Sequence, residues 1–128
     1  MTRRISDIFA AGFDRRPLAV RPYLIAEAGV NHGGSMELAR RLVDEAAAGG
    51  ADAIKFQTYK AETLAMRHSP AYWDLTQEST TSQFELFKKY DTFGAAQYEE
   101  LKEYCDHVGI EFMSTPFDLD ADVVAVFL

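Results

Sequence analysis

The sequence of 128 residues contains one cysteine, Cys105, and no long apolar run. A single thiol excludes an intrachain disulfide framework and a zinc site built from thiolates. The apolar runs are far shorter than the roughly 20 residues that a membrane-spanning helix needs. The N-terminal segment also lacks the continuous apolar core of a signal peptide. We therefore expect a cytoplasmic protein with no membrane segment.

Positive charge is also scarce. Lysine and arginine number 13 against 20 aspartates and glutamates, which gives a net charge of −7. This balance argues against a nucleic-acid partner or an anionic membrane surface, because both are themselves negative. It still allows a small anionic substrate that a few local cations hold. The length and the ordinary hydrophobic content favour one domain with a packed core.

Short apolar runs alternate with amphipathic segments along the chain, which predicts the order β-α-β-α-β-α. Strands are predicted at residues 23–29, 53–57 and 110–114, the last stopped by Thr115 and Pro116. Helices are predicted between Ser35 and Gly49, near residues 82–90, over residues 95–107 and from Asp118 onward. Residues 1–22 form a lead-in with one helical turn around residues 5–11, and the stretch before Ser82 is predicted to be loop.

This order predicts an α/β fold with a parallel sheet and helical crossovers. A doubly wound sheet and a (β/α)8 barrel both fit it. A barrel needs about 250 residues, so residues 23–128 would supply about three of its eight βα units. A sheet of three parallel strands would leave two bare edges, which soluble proteins avoid. We therefore expect the chain to be the N-terminal portion of a larger fold.

Polar residues lie where the predicted strands end. Glu27 is near the end of the first strand, Lys55 and Gln57 near the end of the second, and Ser114 and Thr115 at the end of the third. In parallel α/β folds, ligands bind at the carboxyl ends of the strands. These residues therefore form the candidate ligand face. The hydroxyls of Ser114 and Thr115 predict either an anion site or a simple capping turn.

Alternation along the second strand assigns Ile54 and Phe56 to the helix layer, and Lys55 and Gln57 to the opposite face. A lysine there is costly to bury without an anionic partner. Lys55 either forms an internal ion pair with Glu27 or binds the carboxylate or phosphate of a ligand. In the second case Glu27 is free to act as a base.

The loop after the first strand, residues 29–34, is rich in glycine but matches neither a G-x-G-x-x-G nor a P-loop motif. It favours a tight turn whose glycines permit unusual backbone angles. Asn31 and His32 of this loop are candidate substrate-binding residues on the ligand face. The alternative for His32 is a hydrogen-bonded structural role.

Three stretches, taken in order, are similar to those of the sialic acid synthase (N-acetylneuraminate synthase) family. They are IAEAGVNHGG at residues 25–34, ADAIKFQT at 51–58 and GIEFMSTPFD at 109–118, with SQFEL at 82–86 between them. The resemblance covers residues 23–128. It implies a (β/α)8 barrel that condenses phosphoenolpyruvate with an N-acetylated sugar such as N-acetylmannosamine. The products are a nine-carbon 2-keto sugar acid and phosphate.

The resemblance also implies roles for single residues. It gives Glu27 a catalytic role and makes Lys55 and Thr115 contacts of phosphoenolpyruvate. The segment that ends at Ser82 lines the sugar pocket in the family. Together with Gln57, Asn31, His32 and Ser114, these residues complete the expected substrate-binding set.

The resemblance further implies a divalent metal, Mn²⁺ or Mg²⁺, and a homodimer. The metal-binding histidines, further phosphoenolpyruvate contacts and a C-terminal antifreeze-like domain are expected beyond Leu128. None of the metal ligands is therefore expected within this chain, and residues 1–128 alone are expected to be inactive.

Two alternatives stay open. In the first, the chain is not part of a sialic acid synthase but a truncated, non-catalytic α/β fragment that binds an anion or self-associates through open sheet edges. In the second, it is part of a different phosphoenolpyruvate-dependent keto sugar acid synthase. Within the family reading, the acceptor is N-acetylmannosamine, its 6-phosphate or a diacetamido sugar.

Overall fold

A computed structural model describes residues 2–10 and 21–118 of the chain. Its elements in chain order are α1 (Ile5–Ala10), β1 (Ile25–Gly29), α2 (Met36–Ala48), β2 (Ala53–Thr58), α3 (Ala61–Leu64), α4 (Gln83–Tyr90), α5 (Ala95–Val108) and β3 (Glu111–Pro116). None of the described helices combines the length and apolar character needed to cross a bilayer. The helix predicted from Asp118 onward lies outside the described residues.

Within the described residues, the strands form one parallel sheet in the order β1-β2-β3. Glu27 is the partner of Lys55 in the register, and Gln57 is the partner of Thr115. Each crossover between neighbouring strands contains helix, as parallel pairing requires. The predicted α/β class and its three parallel units are therefore confirmed.

One face of the sheet is covered by α2 and α5, and the core lies between these helices and the strands. Ile54 and Phe56 of β2 are buried there, as their alternation predicts. They pack with apolar side chains of α2 and α5, of which Val43, Leu101 and Cys105 are fully buried. Burying one such large side chain contributes about 1.5–3 kcal/mol, so this face holds the fold together.

Local signals place the helix ends where the sequence predicts them. The Oγ atoms of Ser35 and Ser82 accept the amide N–H groups three residues ahead, at 3.2 and 3.1 Å. Each serine therefore acts as an N-cap. Gly109 adopts a φ of +90° after α5, in the left-handed region that glycine enters without strain.

The predicted stop of the third strand is wrong, because β3 continues through Pro116. The amides of Glu111 and Phe117 both donate toward β2, to Asp52 and Thr58. Successive N–H groups along a strand point to alternate sides. Because the amide of Phe117 points toward β2, the nitrogen of Pro116, one residue earlier, points away from β2. The missing N–H of proline therefore costs no bond in this ladder.

The stretch expected to be loop before Ser82 contains the short helix α3. Its first amide, that of Ala61, donates to the carboxylate of Asp91 at 2.9 Å. The carboxylate of Asp118 accepts the Lys60 amide at 2.6 Å and the Thr63 hydroxyl at 2.8 Å. These partners lie about 30 and 55 residues away in the chain, which is why local sequence does not predict the helix.

The first strand begins at Ile25 rather than at residue 23. The amide of Leu24 donates to the buried carboxylate of Asp52 at 2.9 Å instead of joining a strand ladder. The lead-in packs at this same end of the sheet. The amide of Ile5 and the hydroxyl of Tyr23 both donate to Glu111, at the start of β3. Helix α1 is thus fastened at the end opposite the candidate site.

Candidate functional site

Glu27 and Lys55 form an ion pair between neighbouring strands, with Glu27 Oε2 2.9 Å from Lys55 Nζ. Both side chains lie on the sheet face opposite the core. The Glu27 side chain is 52% exposed and the Lys55 side chain 36% exposed. The predicted ion pair is therefore present, and within this chain solvent reaches it. Within this chain an anion can approach the lysine without the full cost of burying a charge.

Gln57 and Thr115 lie on the same face, one alternation step further toward the carboxyl ends of the strands. Gly29 brings Gln57 close to Glu27. A Cβ at Gly29 would lie 3.6 Å from Glu27 Oε1 and 3.7 Å from Gln57 Nε2. The two side chains therefore converge over this glycine. The structure brings Glu27, Lys55, Gln57 and Thr115 together, and we call these four residues the polar cluster.

Ser114 lies on the other face of the sheet. Its register partner is Phe56, a core residue, and its Oγ atom is 2.5 Å from the hydroxyl of Thr58. Thr58 is itself buried. The structure therefore does not bring Ser114 to the polar cluster. The sequence named both hydroxyls at the end of β3, and strand alternation separates them.

His32 is buried and packs in the core. Its ring stacks on Phe93 with a centroid distance of 4.2 Å and approaches the Phe56 ring at 6.0 Å. The Nδ1 atom accepts the amide of Gly34 at 3.0 Å, and Nε2 has no hydrogen-bond partner among the described residues. Burial lowers the pKa of His32 and favours the neutral ring. The geometry matches the structural alternative.

Neither Asn31 nor Ser82 makes a described contact with the polar cluster. Asn31 is exposed beside α2, where it lines a shallow depression with Arg41 and Glu45. Ser82 uses its hydroxyl to cap α4. A contact of either residue with a substrate stays a prediction.

A cavity of about 280 Å³ lies at the carboxyl ends of the strands, and the sequence reasoning did not identify it. Val30, Tyr59 and Phe117, which follow β1, β2 and β3, each line it. Helices α3 and α4 close it with Leu64, Leu86, Phe87 and Tyr90. The apolar residues of α4 were the available signal, but only the fold shows that they face the strand ends. Gln57 lines this cavity and also belongs to the polar cluster.

Tyr59 fixes one wall of the cavity. Its hydroxyl donates to the carbonyl of Phe87 at 3.2 Å, and its ring meets the Phe87 ring edge-on. Burial, with a smaller contribution from the charge of Asp91, raises the pKa of Tyr59 to about 12. The phenol is therefore neutral at physiological pH and holds α4 against the end of β2.

Residues 2–10 and 21–118 contain no group of three or more His, Cys, Asp or Glu side chains placed to hold a metal ion. The described part of the chain therefore does not by itself fit the Mn²⁺ or Mg²⁺ that the resemblance implies. The metal stays a prediction, and we assign no chemical step to it.

A parallel α/β sheet with a carboxylate, a lysine, an amide and a hydroxyl toward its carboxyl ends fits both a doubly wound sheet and a (β/α)8 barrel. The similarity to a solved synthetase structure, given below, identifies the fold as the TIM-barrel type. Residues 42–126 match the model of the NeuB family, and the chain belongs to this family. The resemblance to the sialic acid synthases is thereby confirmed.

Individual relatives agree with this assignment. The chain is 40% identical over 109 residues to the N,N'-diacetyllegionaminic acid synthase of Legionella pneumophila, covering 84% of this chain and 30% of that protein. It is 32% identical over 96 residues to the N-acetylneuraminate-9-phosphate synthase of Homo sapiens, covering 75% of this chain and 27% of that protein.

A solved structure is also similar, that of the N-acetylneuraminic acid (sialic acid) synthetase from Leptospira borgpetersenii. It gives a TM-score of 0.64 at 36% identity, covering 82% of this chain and 32% of that chain. The chain thus spans about a third of the length of the relatives it matches.

Proposed function

We propose that the full-length gene product condenses phosphoenolpyruvate with an N-acetylated amino sugar, and that residues of this chain form part of its active site. The products are a nine-carbon 2-keto sugar acid and phosphate. The observation that carries the proposal is the polar cluster, with Glu27 and Lys55 paired at 2.9 Å beside Gln57 and Thr115. Relatives named as synthases of legionaminic, neuraminic and pseudaminic acids support a product of this class.

Lys55 holds the phosphoenolpyruvate anion in this proposal. The substrate carries several negative charges, and Lys55 is a cation on the sheet face opposite the core. Its ammonium group can donate to the ligand while it keeps one bond to Glu27, because it has three N–H donors. Thr115 and Gln57 add a hydroxyl and an amide donor on the same face.

Glu27 acts as the general base. C3 of phosphoenolpyruvate forms a bond to the aldehyde carbon of the sugar, and water adds at C2. Glu27 takes one proton from this water and returns it to the aldehyde oxygen, which becomes a hydroxyl. The tetrahedral centre at C2 then collapses to the ketone, breaks its C–O bond, and releases phosphate with the second water proton. Such proton transfer contributes about 10²- to 10⁴-fold in rate.

Several expectations accompany this proposal. The metal, the homodimer and the cytoplasmic location remain predictions from the resemblance and the sequence. Residues 1–128 alone are expected to release no phosphate from phosphoenolpyruvate in the presence of an amino sugar. The activity assays below therefore use the full-length gene product.

The substitution Glu27→Gln tests the proposal. It keeps the shape of the side chain but removes its basicity, so we expect phosphate release to fall about 10²- to 10⁴-fold. The dissociation constant of phosphoenolpyruvate should stay within a few-fold, because the Lys55 cation remains. Glu103→Gln, at an exposed glutamate of α5, is the matched control and should keep full activity. Near-normal turnover of Glu27→Gln would remove Glu27 from the mechanism.

A further inference from the structure

Tyr98, near the start of α5, reaches the end of β2 from the core side of the sheet. The residue is 4% exposed, and its hydroxyl donates to the carbonyl oxygen of Gln57 at 3.0 Å. Its ring meets the Phe93 ring edge-on, with a centroid distance of 5.8 Å. Packing therefore holds the phenol in one orientation, with its hydroxyl directed at the backbone of a residue of the polar cluster.

The Gln57 carbonyl lies where one neighbouring strand has ended. The pairing of β2 with β1 stops at Phe56, so Gln57 is one residue past the last pair. The Thr58 carbonyl accepts the amide of Phe117 on the β3 side, at 2.9 Å. Because carbonyls along a strand point to alternate sides, the Gln57 carbonyl points to the β1 side. The Tyr98 hydroxyl supplies a donor at this position, which β1 no longer reaches.

Two further hydroxyls hold the Tyr98 oxygen in place. Thr58 and Ser114, on the core face of β2 and β3, have their Oγ atoms 2.5 Å apart. The Thr58 side chain also hydrogen-bonds to the Tyr98 hydroxyl. Donation from Ser114 to Thr58 to Tyr98 uses one proton at each step, because a hydroxyl both donates and accepts. It leaves the Tyr98 proton for the Gln57 carbonyl. These three hydroxyls join α5, β2 and β3 on the side of the sheet opposite the polar cluster.

We propose that the Tyr98 hydroxyl positions Gln57 for binding phosphoenolpyruvate, and that Thr58 and Ser114 hold this hydroxyl on its target. The inference rests on the proposed function, in which the Gln57 amide donates to the substrate. Fixing the Gln57 carbonyl fixes the backbone from which its side chain extends beside Lys55. Tyr98 is therefore a positioning residue that does not touch the substrate. Ser114 has its role in the same way, from the core face.

Tyr98→Phe in the full-length gene product tests the proposal. It removes the hydroxyl and keeps the ring that packs on Phe93. A net hydrogen bond changes an equilibrium constant about 2- to 12-fold, and a displaced Gln57 weakens one such bond to the substrate. The Kd of phosphoenolpyruvate, measured by titration calorimetry, should therefore rise by about this factor, and its KM should rise in parallel. The value of kcat should stay close to that of the unsubstituted protein, because Glu27 lies on β1 and keeps its place.

A double-mutant cycle with Gln57→Ala distinguishes positioning from a general effect on folding. If the hydroxyl acts through Gln57, Tyr98→Phe should change the Kd little once the Gln57 amide is gone. Tyr104→Phe is the matched control. It removes another hydroxyl of α5, one that donates to Asp44 of α2 at 3.0 Å, and it should leave Kd and KM unchanged. Ser114→Ala is the second variant if Tyr98→Phe does not fold, and it should raise the Kd by a smaller factor.

The outcomes separate the two proposals. Three results would overturn the inference and leave the proposed function standing: an unchanged Kd for Tyr98→Phe, an equal rise with and without the Gln57 amide, or an equal rise for Tyr104→Phe. No binding of phosphoenolpyruvate by the unsubstituted protein would overturn the proposed function, and the inference with it.

Discussion

Replacing Lys55 with alanine separates the two roles that the Glu27–Lys55 pair can have. In the first role the ion pair stabilises the sheet, and in the second the lysine holds phosphoenolpyruvate. The side chains are 36% and 52% exposed, and the two charged atoms are 2.9 Å apart. The two roles predict different sizes for the effect on folding and on binding.

The exposure sets the contribution of the pair to stability. Two unit charges 4 Å apart attract by about 4 kcal/mol at an effective dielectric constant of about 20. Solvent screening and side-chain entropy reduce exposed pairs to about 0.2–1 kcal/mol. With the exposure that both side chains have in this chain, Lys55→Ala should lower the free energy of unfolding by no more than about 1 kcal/mol. Losing a hydrogen bond to a charged ligand costs about 1.5–3 kcal/mol, so the Kd of phosphoenolpyruvate should rise about 10- to 150-fold.

Titration calorimetry with phosphoenolpyruvate measures the Kd, and urea unfolding of the same full-length protein measures the free energy of unfolding. Lys102→Ala is the matched control, because Lys102 forms an exposed ion pair with Asp106 on α5 at 3.4 Å. It should change neither value appreciably. An unchanged Kd for Lys55→Ala, together with a stability loss well above 1 kcal/mol, would refute the ligand role and leave the structural ion pair.

Two further predictions concern stability. The Leu24 amide and then the Arg21 guanidinium hold the pKa of Asp52 below its ordinary 3.8, so the stabilisation is present above about pH 4 and lost as pH falls further. Asp52→Asn should therefore lower the urea midpoint at pH 7, and it should lower the midpoint by much less at pH 3. An equal decrease of the midpoint at both pH values would contradict this prediction. Leu101→Ala removes a side chain with no exposed surface and should cost about 2–5 kcal/mol in urea unfolding. A loss as small as that of Lys102→Ala would show that Leu101 is not a core residue.

The local elements follow from the sequence because their causes are local. Apolar residues at strand and helix spacing predict β2, α2 and α5, and the structure confirms all three. Ser35 and Ser82 cap the helices they precede, since a cap needs only an amide three residues ahead. Ile54 and Lys55 point to opposite faces of the sheet, and this likewise follows from alternation within one strand.

The sequence does not predict features whose interaction partners lie far away in the chain. The helix α3 begins on the carboxylate of Asp91, and Pro116 stays in β3 because its nitrogen points away from β2. His32 follows β1 at the ligand end, yet its ring turns into the core against Phe93. No local pattern contains these contacts.

The sequence by itself determined the α/β class, the family resemblance and the residues that could bind substrate or transfer protons. Periodicity and motifs depend only on the order of residues along the chain, so they need no tertiary contacts. Only the tertiary structure decided which of these residues meet. The register of three strands puts Lys55 and Thr115 on one face with Glu27, and puts Ser114 on the other. The packing of α4 over the strand ends creates the cavity beside Gln57. Both depend on contacts between distant segments, which form only when the chain is folded.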